Sequence, residues 1–306
     1  MKKTIVFVAL LFSAITASAQ FYVSLSGGAT LPAHKDVIGS KSYFGEDFST
    51  DIMGSYGEGI VGQFRLGYFF NEVIGLELAG SYLHGVDHSN NQILMSNFNA
   101  DTGEFESTSE LVDMYARVRA FGASLSIVAN VTKNVYVRVG ALTKVGGKTE
   151  TFTSITDLTV PTYDVSTGVP VLSGYIGYDA EMQTDFKGKM PFGFVGAAGY
   201  RFHLSDNISI FAEIEYMNIE VQRDSSSLSS FSDGTITVYD LLGNVVETSV
   251  DSEAFATALG AHGAALGSES LVGLSTLAQE DFDWSSQNIF SPYSSLGANI
   301  GVTYKF

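Results

Sequence analysis

Two histidines and an aspartate at short spacing are the residues of this sequence best suited to metal chemistry. His84, Asp87 and His88 lie within five positions of one another, and imidazole and carboxylate groups are common zinc ligands. No fourth ligand is in view around this trio, and the sequence contains no cysteine. We therefore expect a solvated loop at this position, with neither a metal nor a cofactor.

Two motifs of enzymes that act on phosphates or esters are incomplete. The segment VGGKT at 145–149 resembles the end of a phosphate-binding loop, but Leu142 stands where that pattern requires glycine. No G-x-S-x-G motif is present. The sequence thus indicates a protein that is not an enzyme. A hydrolase that combines serine, histidine and acidic residues at a membrane rim stays open as a further class.

Seven charged residues alternate with apolar neighbours and therefore share one face of their strands. They are Arg65, Glu77, Arg138, Lys144, Arg201, Glu213 and Glu215. If the apolar face meets lipid, this charged face lines a narrow interior, where an unpaired charge is costly. We expect these four cations and three anions to pair with one another.

Eight runs of alternating residues must position these charges. They lie at 21–30, 58–70, 73–83, 116–129, 134–146, 190–203, 207–221 and 293–306. Runs of about 10–15 residues exceed the usual strand of a soluble sheet and are long enough to cross a membrane when tilted. Short joins after residues 70, 130 and 204 alternate with long segments at 31–57, 84–115, 147–189 and 222–292. This pattern predicts an all-β fold, an eight-stranded antiparallel transmembrane β-barrel with four long extracellular loops.

The face opposite the charges is apolar and ends in aromatic residues. It includes Val23, Leu25, Phe64, Leu66, Ile74, Leu76, Val137, Val139, Phe192, Phe194, Ile208, Ile210, Ile300 and Val302. Aromatic residues near the strand ends are typical of the girdles at a membrane surface. A soluble β-sandwich, the main alternative, explains neither these girdles nor the alternation of short and long joins.

The N-terminus and the net charge limit the location and the partners. Residues 1–19 combine Lys2 and Lys3, an apolar run and the small residues Ala17-Ser18-Ala19, as a cleaved secretory signal peptide does. The predicted barrel then occupies residues 20–306. A net charge of −17 argues against binding of nucleic acid, which requires a basic surface.

The last strand carries the most specific pattern of the sequence. Asn299, Gly301, Tyr304 and Phe306 match the end of small Gram-negative outer-membrane β-barrels of the OmpA/OmpX-like, porin-like class, which close on a polar residue, a glycine and two alternate aromatic residues. The chain resembles this family over the signal and all eight strands. The resemblance implies an integral protein of the cell outer membrane, surrounded by lipid and lipopolysaccharide, whose last strand is read by the barrel-assembly machinery. It does not extend to the soluble peptidoglycan-binding domain that follows the barrel in some members.

The four long segments hold most of the acidic residues. They contain 26 of the 33 acids and 6 of the 16 lysines and arginines, a net charge of −20 against +3 for the rest of the chain. Such loops could attract divalent cations or a basic partner. Solvation is the simpler interpretation, because no run has the spacing of a calcium-binding loop.

The segment 222–292 contains signals of local structure. TITVYD and VVETSV flank LLGN, which predicts a hairpin, and a helix is expected to begin at Ser252 and either cap the barrel or pack on that hairpin. The predicted role is structural or one of surface interaction. In the second case the loops provide the contact surface for an unidentified extracellular ligand. The alternative is a narrow porin-like channel for small solutes or cations, which would require charges along a wet path instead of pairs across the interior.

Overall fold

The computed structural model describes residues 20–44, 49–99, 104–164, 166 and 169–306. The predicted signal peptide lies outside this part of the chain, as do short pieces of three of the predicted loops. Sixteen strands and two helices are found among the described residues, so the all-β prediction is confirmed. No helix in the same residues is long and apolar enough to cross a membrane.

Eight of the strands form a closed ring in which every neighbouring pair is antiparallel. In order around the ring they are β1 (Gln20–Pro32), β4 (Gly59–Phe69), β5 (Ile74–Gly85), β7 (Glu104–Asn130), β8 (Val135–Asp164), β10 (Gly193–His203), β11 (Ile208–Asn218) and β16 (Ser295–Lys305). Each strand pairs with the next in this order, and β16 pairs with β1 to close the ring. Each of the eight predicted strands corresponds to one member of this ring.

Three short turns join ring strands at one end, which we call the turn end. They lie at 70–73, 131–134 and 204–207, so the short joins are confirmed. The Asn71 side chain accepts hydrogen bonds from the backbone N–H groups of Val73 and Ile74, both at 2.8 Å. Thr132 and Ser205 accept similar bonds in the other two turns. Short polar side chains that bond the backbone a few residues ahead favour such tight reversals.

The outer surface of the ring is apolar. Leu25 is 67% exposed and Ile300 is 68% exposed. The other large exposed side chains of this surface include Ile60, Phe64, Leu78, Leu125, Ile127, Val139, Phe194, Ile214 and Val302. An exposed apolar area that encircles the molecule is far larger than a soluble monomer tolerates.

Aromatic pairs border this surface at both ends. Phe21 and Tyr68, Tyr200 and Phe202, and Tyr304 and Phe306 pair at the turn end with ring centroids 4.7–5.0 Å apart. Two further pairs lie at the opposite end, Tyr82 with Phe121 and Phe194 with Tyr216. The apolar surface is thus bounded by two aromatic bands, the arrangement found where a barrel crosses a membrane.

The ring strands continue beyond the second aromatic band into a curved sheet, which we call the extension. It consists of the first part of β7, the last part of β8 and eight further strands. These are β2 (Asp36–Tyr43), β3 (Ser49–Gly54), β6 (His88–Asn99), β9 (Val171–Gly188), β12 (Glu220–Asp240), β13 (Val245–Ser249), β14 (Asp281–Asp283) and β15 (Phe290–Pro292). From edge to edge the main strands follow the order β3, β2, β6, β7, β8, β9, β12 and β13, and β14 and β15 both pair with β12.

The expectation of long loops at 31–57, 84–115, 147–189 and 222–292 is therefore wrong for most of the described residues in these segments. The end of β8 shows the reason. Thr, Ile and Val residues favour strands there, but a bulge between Ile155 and Leu158 shifts the register, and both of these side chains are buried. A strict alternation rule does not recognise a strand whose inward positions change phase.

Two helices cover the core of the extension. They are α1 (Ser252–Leu266) and α2 (Glu269–Leu277). The predicted helix is present and begins at Ser252, and the Asp251 side chain caps it by accepting a bond from the Ala254 N–H. The predicted hairpin is also present, as the end of β12 and β13. Phe255, Leu259 and Leu271 are fully or almost fully buried against the sheet, so the helices pack on the extension as a whole.

Candidate functional site

The interior of the strand ring is filled in layers, which β11 illustrates. From the turn end, the inward positions of this strand are occupied by Ser209, Phe211, Glu213 and Glu215, and Met217 lies beyond them. Phe211 belongs to a lower apolar layer with Tyr22, Phe69, Val128 and Tyr136. The alternation of a strand therefore places apolar groups next to the charged groups, on the side of the turn end.

The charged middle layer contains five of the seven predicted interior residues. Arg65, Glu77, Arg138, Glu213 and Glu215, here called the ion cluster, come from four different strands. Arg65 is only 2% exposed and Glu213 only 4%. Ion pairs join Arg65 and Arg138 to Glu213, and Arg138 to Glu77 and Glu215.

Glu213 is the hub of the ion cluster. Its two carboxylate oxygens accept from both Nη atoms of Arg65, one of them at 3.0 Å, and from Nη2 of Arg138 at 3.1 Å. The Tyr136 hydroxyl donates to it at 2.7 Å and the Asn299 amide at 3.2 Å. A carboxylate with this many donors is held firmly, because buried charge is stable only when paired and hydrogen-bonded.

The other two acids of the ion cluster also have neutral donors. The Tyr22 hydroxyl donates to Glu77 at 2.7 Å, and the Gln63 amide donates to Glu215 at 2.8 Å. Gln63 in turn accepts from Nε of Arg65 at 3.0 Å. The donors and acceptors of the layer thus form one continuous network across the interior.

Arg201 and Lys144 lie outside the ion cluster. The Arg201 guanidinium lies over the Tyr136 ring, 4.0 Å from its centroid, and donates to Oδ1 of Asn130 at 2.6 Å. Lys144 lies over the Tyr293 ring at 5.6 Å. Neither makes an ion pair within the described part of the chain. Both are held by cation–π contact, which spacing along a strand does not reveal.

An upper apolar layer closes the interior at the end opposite the turns. It comprises Ile38, Tyr56, Leu83, Ala116, Val118, Ala120, Leu142, Val195, Ile219, Val221 and Tyr293. Between this layer and the ion cluster lies a cavity of about 40 Å³, lined in part by Gln63, Arg138 and Glu215. A cavity of this size holds only a few water molecules.

The four residues of the predicted assembly signal divide between the two faces of β16. Asn299 is buried and bonds Glu213, whereas Tyr304 and Phe306 are exposed in the turn-end aromatic band. Gly301 faces inward, and a Cβ atom there would lie 2.5 Å from the Phe211 ring and 2.6 Å from the Leu25 carbonyl oxygen. Only glycine fits at this position without a shift of the backbone.

His84, Asp87 and His88, which the sequence places at short spacing, do not form a metal site among the described residues. Among the described residues, no group of three or more histidine, cysteine or acidic side chains could hold a metal. His84 is exposed on β5, whereas His88 packs edge-on against the Tyr56 ring on β6. Burial lowers the pKa of His88, although Glu58 and Asp87 act in the opposite direction.

Arg223 is a charged residue of the extension that no sequence pattern marks. Arg223, on β12, lies over the Phe186 ring at 4.8 Å and the Trp284 ring at 5.8 Å. It lines two adjoining cavities in the extension. Its partners come from distant parts of the chain, so no local sequence signal marks it.

Comparisons with known proteins give similar structures but no sequence relative. No protein-family model matches the chain, and no curated protein matches it. A major outer membrane protein from Thermus thermophilus aligns at 13% identity with a TM-score of 0.37, over 94% of this chain and 99% of that one. The outer membrane protein OprG from Pseudomonas aeruginosa aligns at 12% identity and a TM-score of 0.35, over 94% and 96%.

CarO2 from Acinetobacter baumannii is a third similar structure, at 12% identity and a TM-score of 0.33, over 93% of this chain and 99% of that one. The chain thus resembles outer-membrane β-barrel proteins of known structure. Because the TM-scores of these three structures lie below 0.5, we base the assignment of a function on this chain's own strand ring, surface and interior.

Proposed function

We propose that this chain is an integral outer-membrane protein, an eight-stranded transmembrane β-barrel whose interior is filled and whose extension is displayed outside the cell. The observation that carries the proposal is the closed ring of eight antiparallel strands with an apolar outer surface between two aromatic bands. A closed ring leaves no unpaired strand edge in lipid, which is the condition for crossing a membrane with strands.

The interior supports a role that does not depend on conduction. The cations and acids of the ion cluster pair with one another. One apolar layer lies between the cluster and the turn end, and the other lies on the opposite side of the cluster. An eight-stranded interior is just wide enough for side chains to fill it. A solute path would have to break ion pairs and open both layers. We therefore prefer a structural or surface-interaction role to the porin-like alternative.

The extension supports display of a contact surface. Its strands continue those of the barrel, so the surface is fixed rigidly to the membrane part. It has its own buried core, which the two helices complete. A non-enzymatic scaffold of this kind presents its outer face to ligands or partners through geometry alone.

Membrane insertion is the first test. The purified chain is refolded into detergent and into lipid vesicles, and its gel mobility is compared with and without heating. We expect a compact, heat-sensitive form that floats with the vesicles and resists extraction at alkaline pH. A variant with Leu25, Phe64 and Ile300 changed to Ser tests the surface itself, because these side chains face outward and leave the ion cluster intact.

We expect the triple variant to insert poorly while Ser substitutions at exposed apolar residues of the extension, such as Leu241 and Leu242, have little effect. Equal vesicle insertion of both variants would contradict a lipid-facing ring, as would a wild-type chain that stays soluble without detergent.

A further inference from the structure

A cavity that combines polar and aromatic groups lies in the extension, between α2 and the sheet. Its volume is about 320 Å³, within the range of sites that hold small molecules. Ser42 and Asn90 contribute polar groups from one side, and Met114, Leu274 and Trp284 contribute apolar surface. Exposed residues of α2, Ser270 and Gly273, also line it, so the cavity opens to solvent.

Arg223 gives this cavity its charge. No carboxylate in the described part of the chain pairs with its guanidinium, and no side-chain hydrogen bond of it is found there. Its flat face is occupied by the rings of Phe186 and Trp284. Stacking of this kind leaves the N–H donors at the edge of the guanidinium free to bind an anion.

The surroundings of Arg223 are cationic within an otherwise acidic region. A smaller cavity of about 20 Å³ adjoins the first, and Lys144 and Lys187 line it together with Arg223. Glu269, the one acid among the described residues that line the two cavities, is exposed at the start of α2 and makes no ion pair with Arg223. The arrangement therefore favours a negatively charged ligand.

We propose that this cavity binds an acidic saccharide whose carboxylate pairs with Arg223. A small inorganic anion would need only the cationic corner, whereas the cavity offers further groups that match a hydroxyl-rich ring. The Asn90 amide and the Ser42 hydroxyl line it and have no side-chain hydrogen-bond partner among the described residues. Amide groups both donate and accept, as sugar hydroxyls require, and the apolar wall suits the face of a sugar ring.

This inference rests on the proposed function only for the side of the membrane on which the cavity opens. Binding by the purified protein does not depend on it. The saccharide could belong to lipopolysaccharide or to a soluble glycan, since both sources can supply a sugar carboxylate. The chemistry at Arg223 is the same in either case.

The only tryptophan of the chain gives a direct readout of the cavity. Trp284 lines it and lies next to Arg223, so its fluorescence should respond to an anion bound there. The folded full chain in detergent is titrated with glucuronate and a two-sugar uronide, and in parallel with glucose and acetate. We expect saturable emission changes with the two acidic sugars and much weaker responses to glucose and acetate.

Substitutions at Arg223 test the assigned contact. We expect R223Q to raise the Kd at least about tenfold, equivalent to about 1.4 kcal/mol, because a hydrogen bond to a charged group contributes about 1.5–3 kcal/mol. The Kd of R223K should lie between those of the wild type and R223Q, since lysine keeps the charge but lacks the planar guanidinium. K133Q is the matched control, because Lys133 is an exposed cation in a turn at the opposite end of the molecule.

Three results would overturn the proposal: no saturable change with either acidic sugar, an equal response to acetate, or unchanged affinity in R223Q. The comparison of sugars in the wild-type protein decides the matter even if R223Q fails to fold. Displacement of glucuronate by purified lipopolysaccharide would assign the ligand to the membrane. If lipopolysaccharide does not displace glucuronate, the ligand is a soluble glycan. Both outcomes agree with the proposal. The gel-mobility and flotation assays contain no saccharide, so failure of the proposed function would be seen separately.

Discussion

Replacement of Glu213 by Leu should destabilise the folded chain more than any other single change in the ion cluster. The substitution removes the acceptor of both Arg65 Nη atoms and of one Arg138 bond, and it leaves the Tyr136 hydroxyl without its acceptor. Arg65 and Arg138 are both almost completely buried, so neither can recover its lost contacts from water.

The expected magnitude follows from this geometry. Removal of one partner of a buried ion pair costs about 3–5 kcal/mol. We expect the larger end of this range, because two guanidinium groups lose an anion at once. Glu77 and Glu215 still neutralise part of the remaining charge, which limits the cost.

The assay is urea unfolding of the refolded protein in detergent, with the folded fraction read from the heat-sensitive gel mobility. E72L is the matched control, because Glu72 undergoes the same substitution in an exposed turn. The double variant R65M/E213L adds a further test, since replacing both partners by apolar groups should cost less than the sum of the single changes. If E213L unfolds at the same urea concentration as E72L, Glu213 does not hold the interior together.

Three further predictions concern β16 and the extension. G301A should slow folding and lower the stability of the folded chain, because the new Cβ would lie 2.6 Å from a backbone oxygen. G62A should have little effect, because a Cβ at Gly62 has open space. Refolding rates in vesicles compare the two variants, and equal rates would refute the packing role of Gly301. L259A should cost about 2–5 kcal/mol of extension stability and speed proteolysis of the extension, since Leu259 is fully buried in its core; an unchanged digestion pattern would show that α1 is not packed as described. Burial favours a higher pKa for Asp185, but hydrogen bonds led by that of Lys148 lower its pKa overall. The resulting stabilisation is present above the unfolded value of about 3.9 and is lost as the pH falls through the lower folded value. Proteolysis of the extension should therefore accelerate below about pH 4, and K148M should weaken this dependence; a pH profile that is identical in K148M would be the contrary result.

The ring and most of its interior could be predicted from the sequence because lipid imposes a strict pattern. A strand between lipid and a filled interior must alternate, so Arg65 and Glu213 are marked as inward residues by their neighbours alone. The same pattern identified the short turns. Pairing of particular residues across the interior could not be predicted, since it depends on the register of strands far apart in the chain.

The sequence does not indicate the extension, because no lipid constrains its strands. Its strands bury one face against helices and tolerate bulges, such as the one after Ile155, that interrupt alternation. The sequence predicts ion pairs for Arg201 and Lys144, but both cations lie over aromatic rings. The spacing of residues along one strand does not show whether a buried cation contacts an acid or a ring. The cavity at Arg223 is assembled from several strands and a helix, so its parts meet only in the folded chain.

Single-channel recording tests the central claim, a barrel closed by an ion cluster and two apolar layers, most directly. The refolded full chain is added to a planar lipid bilayer in concentrated potassium chloride, and an open porin in the same bilayer serves as the positive control. A filled interior predicts no steady conductance from wild-type protein that is shown to be inserted. Stable, reproducible current steps from the wild-type protein would contradict it and would identify the chain as a narrow channel.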